Sequence, residues 1–274
     1  MVLFPNAKIN IGLNIVERRA DGYHNIETVM CPVKWCDILE IVPAQGNETT
    51  LTTTGRAVNC PPEKNLVMKA YRLFQQETGI GNVDIYLHKI IPDGAGLGGG
   101  SADAAFTLIG LNEIFKCNLS KDQLAGMAAK IGADCPFFIY NEPQLATGIG
   151  TEFTPVEVSL DDYSILIVKP QVSVPTAQAY AGVTPMQADH NLATAINLPI
   201  SQWNGILKND FEKSVFPAYP EIEIVKQKII DMGADYVSMS GSGSAVYGIF
   251  SKNDILSAKI KALFPQCDIF YNKF

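Results

Sequence analysis

Between Pro92 and Ala105 the chain reads Pro-Asp-Gly-Ala-Gly-Leu-Gly-Gly-Gly-Ser-Ala-Asp-Ala-Ala, crowding Gly94, Gly96, Gly98, Gly99 and Gly100 ahead of Ser101. Glycine reaches positive φ and lets a ligand approach the backbone closely, so such a loop can turn several N–H groups toward one point. That point suits an anion. Upstream, Val83, Ile85 and Leu87 alternate with Asp84, Tyr86 and His88, which predicts a strand delivering the chain to the loop. Downstream, Ser101 is the expected N-cap of a helix carrying Ala104, Ala105, Leu108, Leu111 and Phe115 at helical spacing. Strand, glycine loop and helix N-terminus together describe a phosphate site, because the unpaired N–H groups of a helix start carry a partial charge of roughly +0.5. A flexible linker is the bland alternative, but linkers of this kind are usually polar and lack a flanking strand and capped helix.

Two familiar phosphate loops fail on these residues. Gly94, Gly96 and Gly99 satisfy G-x-G-x-x-G, yet helix and then more helix follow, where a dinucleotide fold needs a second parallel strand ending in an acid about 20 residues later. A Walker A loop needs Gly-Lys-Ser/Thr, and here Ser101 and Ala102 follow the last glycine.

Composition narrows the partners. The 274 residues are enough for one large domain or two modest ones, and no apolar run approaches the roughly 18 residues of a membrane span. The first residues place Lys8 and Asn10 inside an apolar stretch, unlike a signal peptide. A net charge of -7, with lysine and arginine scattered, argues against nucleic acid. Six cysteines without a CxxC pair read as reduced thiols in the cytoplasm, and no metal-ligand set is expected. A phosphate site in so acidic a chain must be built from backbone N–H groups and one or two placed cations.

From Ala7 to Ile15 apolar and polar residues alternate, putting Lys8 and Asn10 on one strand face. They form either a donor pair for phosphate or hydroxyl, or an ordinary solvated face, the usual setting of a lone strand lysine. The turn Asp21-Gly22 presents Tyr23 and His24, either as a stacking ring and an imidazole donor or as surface decoration. Strands are expected at 25–33 and 37–43, with a polar connection over 44–54. Asn65 is the expected N-cap of a helix beginning at Leu66 and ended by Gly79. Ser120 and Gln123 have capping-box spacing and open a helix stopping at Gly132. Asp134, two residues before Pro136, is either the cap of a helix or a partly desolvated general base. The stretch 152–162 is acidic and irregular, so we divide the chain into 1–158 and 159–274. The second part offers a strand at 164–169, a helical turn at 175–180, a helix at 220–232, and strands at 236–239 and 245–250 joined by Ser240-Gly-Ser-Gly-Ser244. A helix over 254–264 and a strand over 268–271 follow, in the order of a split βαβ layer.

These motifs, in this order, resemble the GHMP kinase superfamily of galactokinase, homoserine, mevalonate and phosphomevalonate kinases. Ala7-Lys-Ile-Asn-Ile-Gly-Leu13 is similar to its first motif, Pro92 to Ala105 to its phosphate loop, and Ser240 to Ala245 to its third. Lys8-Ile-Asn10, Asp21-Gly-Tyr-His24, Gly132-Ala-Asp-Cys-Pro136, Val174-Pro-Thr176 and Asn209-Asp-Phe-Glu212 are most similar to the branch that phosphorylates 4-diphosphocytidyl-2-C-methyl-D-erythritol. The resemblance implies an α+β two-domain GHMP kinase fold, with a ribosomal-S5-like N-terminal domain and a ferredoxin-like C-terminal domain. It also implies an enzyme of the non-mevalonate isoprenoid route, moving the ATP γ-phosphoryl group to the 2-hydroxyl of that substrate.

Carried over residue by residue, the resemblance makes Asp134 the group that orients or deprotonates the hydroxyl. Lys8 then stabilises charge on the γ-phosphoryl group and keeps Asp134 ionised. Asn65 and Leu66 line the adenine side. Pro92, Asp93, Gly94, Ala95, Gly96, Leu97, Gly98, Gly99, Gly100, Ser101 and Ala102 form the ATP loop. Tyr23 and Tyr180 sandwich the cytosine, His24 hydrogen-bonds to it, and Asn10 and Thr176 lie near the substrate; Tyr180 could equally belong to the core. ATP is the expected co-substrate, bringing Mg²⁺ with it. Asp93 and Ala102 depart from the pattern, and Asp93 is expected to face solvent. The competing readings are a mevalonate- or homoserine-type kinase, against which Asp-Gly-Tyr-His argues, and a non-catalytic nucleotide-binding relative, against which the pair Lys8 and Asp134 argues.

Overall fold

The computed structural model describes residues 1–274 except 59, 159 and 252–256, and describes no side chain at 257–259. The chain forms two compact units with interleaved boundaries, one of Met1–Ala7, Trp35–Asp93 and Gly98–Glu142, the other of Lys8–Lys34, Gly94–Leu97 and Pro143–Phe274.

In the first unit a four-stranded sheet runs in the order Val2–Leu3, Ile38–Pro43, Val83–Lys89, Thr50–Gly55. The last strand pairs parallel to Val83–Lys89, and the other pairings are antiparallel. Thr50–Gly55 corrects the expectation of a loop over 44–54, because its β-branched threonines serve an exposed edge that carries no apolar alternation to reveal it. Leu39, Ile41, Ile85 and Leu87 are buried together with Val67, Phe74, Leu108 and Leu111 from the helices Leu66–Thr78 and Gly99–Ile114. A Cβ at Gly110 would stand 2.7 Å from a methyl of Leu3 and 2.9 Å from one of Ile41, so the glycine lets the second helix lie close on the sheet. The Asn65 cap is present: its side chain accepts from the N–H of Val67 at 2.9 Å, and Gly79 closes the helix at φ 72°. The capping box of Ser120 and Gln123 is also present, on the helix Lys121–Ala129.

The second unit carries two sheets. One runs Asn6–Arg18, His24–Cys36, Gln144–Thr147, Glu152–Pro155. The strand Glu152–Pro155 overturns the irregular reading of that stretch, since antiparallel pairing to Gln144–Thr147 supplies order that its acidic composition does not signal. The other sheet runs Tyr236–Met239, Val246–Phe250, Ser164–Lys169, Asp268–Lys273, antiparallel throughout. Numbered along the chain its strands lie 2-3-1-4, with helices including Pro220–Asp231 linking the first to the second and Ser257–Leu263 linking the third to the fourth. That is the ferredoxin-like split βαβ arrangement read from the sequence; the expected start of its last helix, 254–256, lies outside the described residues.

Candidate active site

The glycine loop begins differently from the sequence reading. The helix Gly99–Ile114 is capped by Gly98 at φ 72°, and Ser101, expected as the cap, is its third residue. Glycine occupies the left-handed turn at little cost, so the helix can start before the hydroxyl residue. The N–H groups of Gly99, Gly100 and Ser101 thereby belong to the first turn, whose donors have no partner within the helix. The first backbone bond closes from Ala102 to Gly98, at 2.9 Å.

In the second unit the carbonyls of Gly94, Ala95, Gly96 and Leu97 accept from Ser244 N–H, Ala245 N–H, Ser240 Oγ and Lys8 N–H, at 3.3, 3.1, 2.8 and 2.9 Å. The serine–glycine segment thus fixes the loop by its carbonyl side. Gly96 has φ +72°, and a Cβ there would fall 1.9 Å from the Ser240 carbonyl oxygen. Gly96→Ala is therefore expected to lose roughly 1–2 kcal/mol from the left-handed backbone alone, and more from this collision with main chain. Gly100→Ala, whose Cβ would meet just Leu66 Cδ1 at 3.7 Å, is expected to retain its urea midpoint. Equal midpoints for the two variants would contradict the strapped geometry.

Lys8 and Asn10 are 3% and 2% exposed, which overturns the solvated-face alternative. The Lys8 ammonium donates to Asn10 Oδ1, Asn10 Nδ2 donates to Thr28 Oγ1 at 3.1 Å, and Thr28 Oγ1 donates to the Gly12 carbonyl at 2.6 Å. Tyr247 donates from its hydroxyl to the Asn10 carbonyl at 2.8 Å. A buried ammonium needs such company. Asn10 therefore steers Lys8 as well as being a candidate substrate contact.

Asp134 is half-buried just before the helix Cys135–Tyr140, at φ -80° and ψ -14°, and makes no side-chain capping bond. The cap alternative fails because a helical backbone conformation at that position does not aim the carboxylate at the following N–H groups. His24 stacks on Tyr180 with ring centroids 4.8 Å apart and planes 19° apart, while Tyr180 meets Phe211 edge-on at 4.8 Å. Tyr180 is thus partly a core residue. Tyr23 is 62% exposed, and Thr176 Oγ1 lies 3.3 Å from Ser242 Oγ.

Asn65, Leu66, Asp93 and Gly100 line a cavity of about 110 Å³ in the first unit, with Asp93 itself exposed as expected. The cavity also holds two residues the sequence reading passed over, Lys89 and Asp103. Lys89 Nζ pairs with Asp37 Oδ2 and, at 2.7 Å, with Asp103 Oδ2, and all three side chains are almost wholly buried. Asp37 Oδ1 also accepts from the N–H groups of Ile90 and Ile91. The missed signal was phase: Lys89 continues the inward set Val83, Ile85 and Leu87 of its strand.

Burial pushes the Asp103 carboxyl up to about 7 against the pull of Lys89, with Asp37 pushing the same way as burial. Burial lowers Lys89, and Asp103 and then Asp37 more than reverse this, leaving it above the ordinary lysine value. A carboxyl raised in the folded state adds stability in full below its unfolded value near 3.8, and that contribution is lost as pH rises through about 7. The stability of the wild type relative to Asp103→Asn is accordingly expected to fall between about pH 4 and pH 7. Urea midpoints of both proteins across that range check the sign, and a rise would contradict it.

Comparison with known proteins gives two family matches, "GHMP kinases N terminal domain" over residues 65–142 and "GHMP kinases C terminal" over residues 192–266. The 4-diphosphocytidyl-2-C-methyl-D-erythritol kinase of Bacteroides fragilis is 51% identical over 256 residues, covering 93% of each chain. That of Parabacteroides distasonis is 49% identical over 267 residues, covering 97% of each. A crystal structure of 4-(cytidine 5'-diphospho)-2C-methyl-D-erythritol kinase superposes with a TM-score of 0.84 at 30% identity, covering 99% of this chain and 98% of that one. Homoserine kinase from Cytophaga hutchinsonii, at 18% identity and a TM-score of 0.68, is alike in fold alone.

Proposed function

Because the chain belongs to the GHMP kinases, we propose that it transfers the γ-phosphoryl group of ATP to the 2-hydroxyl of 4-diphosphocytidyl-2-C-methyl-D-erythritol, a step of isoprenoid precursor synthesis. The observation that carries this reading is the 51% identity to the Bacteroides fragilis enzyme across 93% of both chains. The division into 1–158 and 159–274 belongs to the same reading and leaves one family match in each part. Among the described residues no helix is long and apolar enough to cross a membrane.

In this reading the N–H groups of Gly99, Gly100 and Ser101 hold phosphate oxygens, which is the chemistry a helix start offers. The reading is supported by the carbonyl bonds that hold Gly94 to Leu97 and by the exclusion of a side chain at Gly96. Lys8 places its charge on the transferred phosphoryl group, with Asn10 setting the direction of its ammonium. Asp134 takes the proton of the attacking hydroxyl. Mg²⁺ carried with ATP neutralises developing phosphate charge.

Tyr23, His24 and Tyr180 recognise the cytosine, and Thr176 lies near the substrate. His24 covers one face of Tyr180, so a base entering between the tyrosines displaces the imidazole and leaves it free to hydrogen-bond to the ring. His24→Ala is expected to raise KM for the cytidyl substrate about tenfold, the order of one hydrogen bond, with KM for ATP unchanged. A KM for ATP that rose in parallel would contradict this assignment. Product analysis by ³¹P NMR tests the reaction itself: a new phosphomonoester on the methylerythritol moiety is expected, and phosphate release without it would overturn the reading.

A further inference from the structure

The motif Asn209-Asp-Phe-Glu212 takes no part in the proposed transfer, yet Asn209 is 2% exposed and every polar atom of its side chain is used. Its Nδ2 donates to the carbonyls of Met239 and Gly241, each at 2.8 Å, and its Oδ1 accepts from the N–H of Phe211 at 3.0 Å. An asparagine amide supplies those two donors and that acceptor, whereas an aspartate would set oxygen against both carbonyls. At its other end the residue is anchored to the strand of Lys8. Leu13 N–H donates to the Lys208 carbonyl at 2.8 Å and Asp210 N–H donates to the Leu13 carbonyl at 2.9 Å, which lays Asn209 against Asn6–Arg18. The two carbonyls that Asn209 grips flank Ser240, whose hydroxyl accepts from Asn10 N–H at 3.3 Å and donates to the Gly96 carbonyl at 2.8 Å. Gly241 lies against the same pair: a Cβ there would stand 3.3 Å from Asn10 Oδ1 and 3.4 Å from Gly96 Cα. One side chain therefore holds the turn that joins the glycine loop to the residue steering the Lys8 ammonium.

We propose that Asn209 is a positioning residue for phosphoryl transfer: by fixing Met239 and Gly241 it holds Ser240 where it ties Gly96 to Asn10, keeping loop and ammonium in register for ATP. This rests on the reading of ATP as the phosphoryl donor. Asn209 acts through geometry alone, and a displacement of about 1 Å in positioned groups can cost about 10²-fold in rate.

Steady-state kinetics of Asn209→Asp, Asn209→Ala and Ser240→Ala test the proposal. Each variant is expected to raise KM for ATP at least about fivefold, with KM for the cytidyl substrate within about twofold of the wild type. A residue that only supports the fold would lower kcat by lowering the folded fraction and leave both KM values unmoved. Because Asn209 and Ser240 act in series, the double variant Asn209→Ala/Ser240→Ala is expected to have a KM for ATP well short of the product of the two single effects. An unchanged KM for ATP in the Asn209 variants or in Ser240→Ala overturns the proposal, as does a parallel rise in KM for the cytidyl substrate, or a double variant that shows the full product. Failure of both Asn209 variants to fold overturns it too, since the residue would then serve the fold ahead of the loop. Absence of ATP turnover by the wild type overturns the reading of ATP as donor together with this one.

Discussion

Asp134→Asn is expected to lower kcat by about 10²- to 10⁴-fold while ATP affinity stays within about twofold. The substitution keeps shape and removes the basic oxygen. Asp134 makes no capping bond at the helix Cys135–Tyr140, so the variant does not sacrifice a helix cap. Far-UV circular dichroism of the variant, measured beside its kcat, separates lost chemistry from lost fold. Near-normal turnover would remove Asp134 from the role of base.

Lys89→Met is expected to destabilise the protein by about 3–5 kcal/mol, the range seen when one member of a buried ion pair is removed. The methionine fills similar volume, but Asp37 and Asp103 then face one another without the ammonium that both now contact. Asp103 can escape by taking a proton, which its upward shift already favours. Asp37 stays anchored by the N–H groups of Ile90 and Ile91, so its charge has somewhere to rest, and the loss should fall short of a complete unfolding. Urea denaturation measures it. A loss below about 1 kcal/mol, the worth of an exposed pair, would mean that water reaches the triad.

Much of this was legible in the residues. Period-two alternation found the strand Val83–Lys89, the strands Ser164–Lys169 and Tyr236–Met239 were also read from their residues, and capping chemistry found Asn65, Gly79 and the Ser120–Gln123 box. These are local signals, decided within a few residues. The strands Thr50–Gly55 and Glu152–Pro155 were not legible because partners across a sheet order them, and neither buries the alternating face that would betray it. At the candidate site the glycine loop announced itself through composition. The burial of Lys8 did not, since a lysine reads as solvated until Asn10 and the elements around it are in place. The triad of Lys89, Asp37 and Asp103 was hidden for the same reason: its members lie 14 and 52 residues from the lysine along the chain. Only the phase of Lys89 within its strand hinted at it.

The most direct measurement is ADP production by the purified protein with ATP and Mg²⁺, comparing 4-diphosphocytidyl-2-C-methyl-D-erythritol with mevalonate, homoserine and no acceptor. Turnover with the cytidyl substrate and background rates with the other three are the predicted result. Turnover with mevalonate or homoserine instead would keep the fold and the roles of Lys8 and Asp134 but contradict the cytosine site of Tyr23, His24 and Tyr180. Silence with every acceptor, from a folded protein that still binds ATP, would contradict the kinase reading itself.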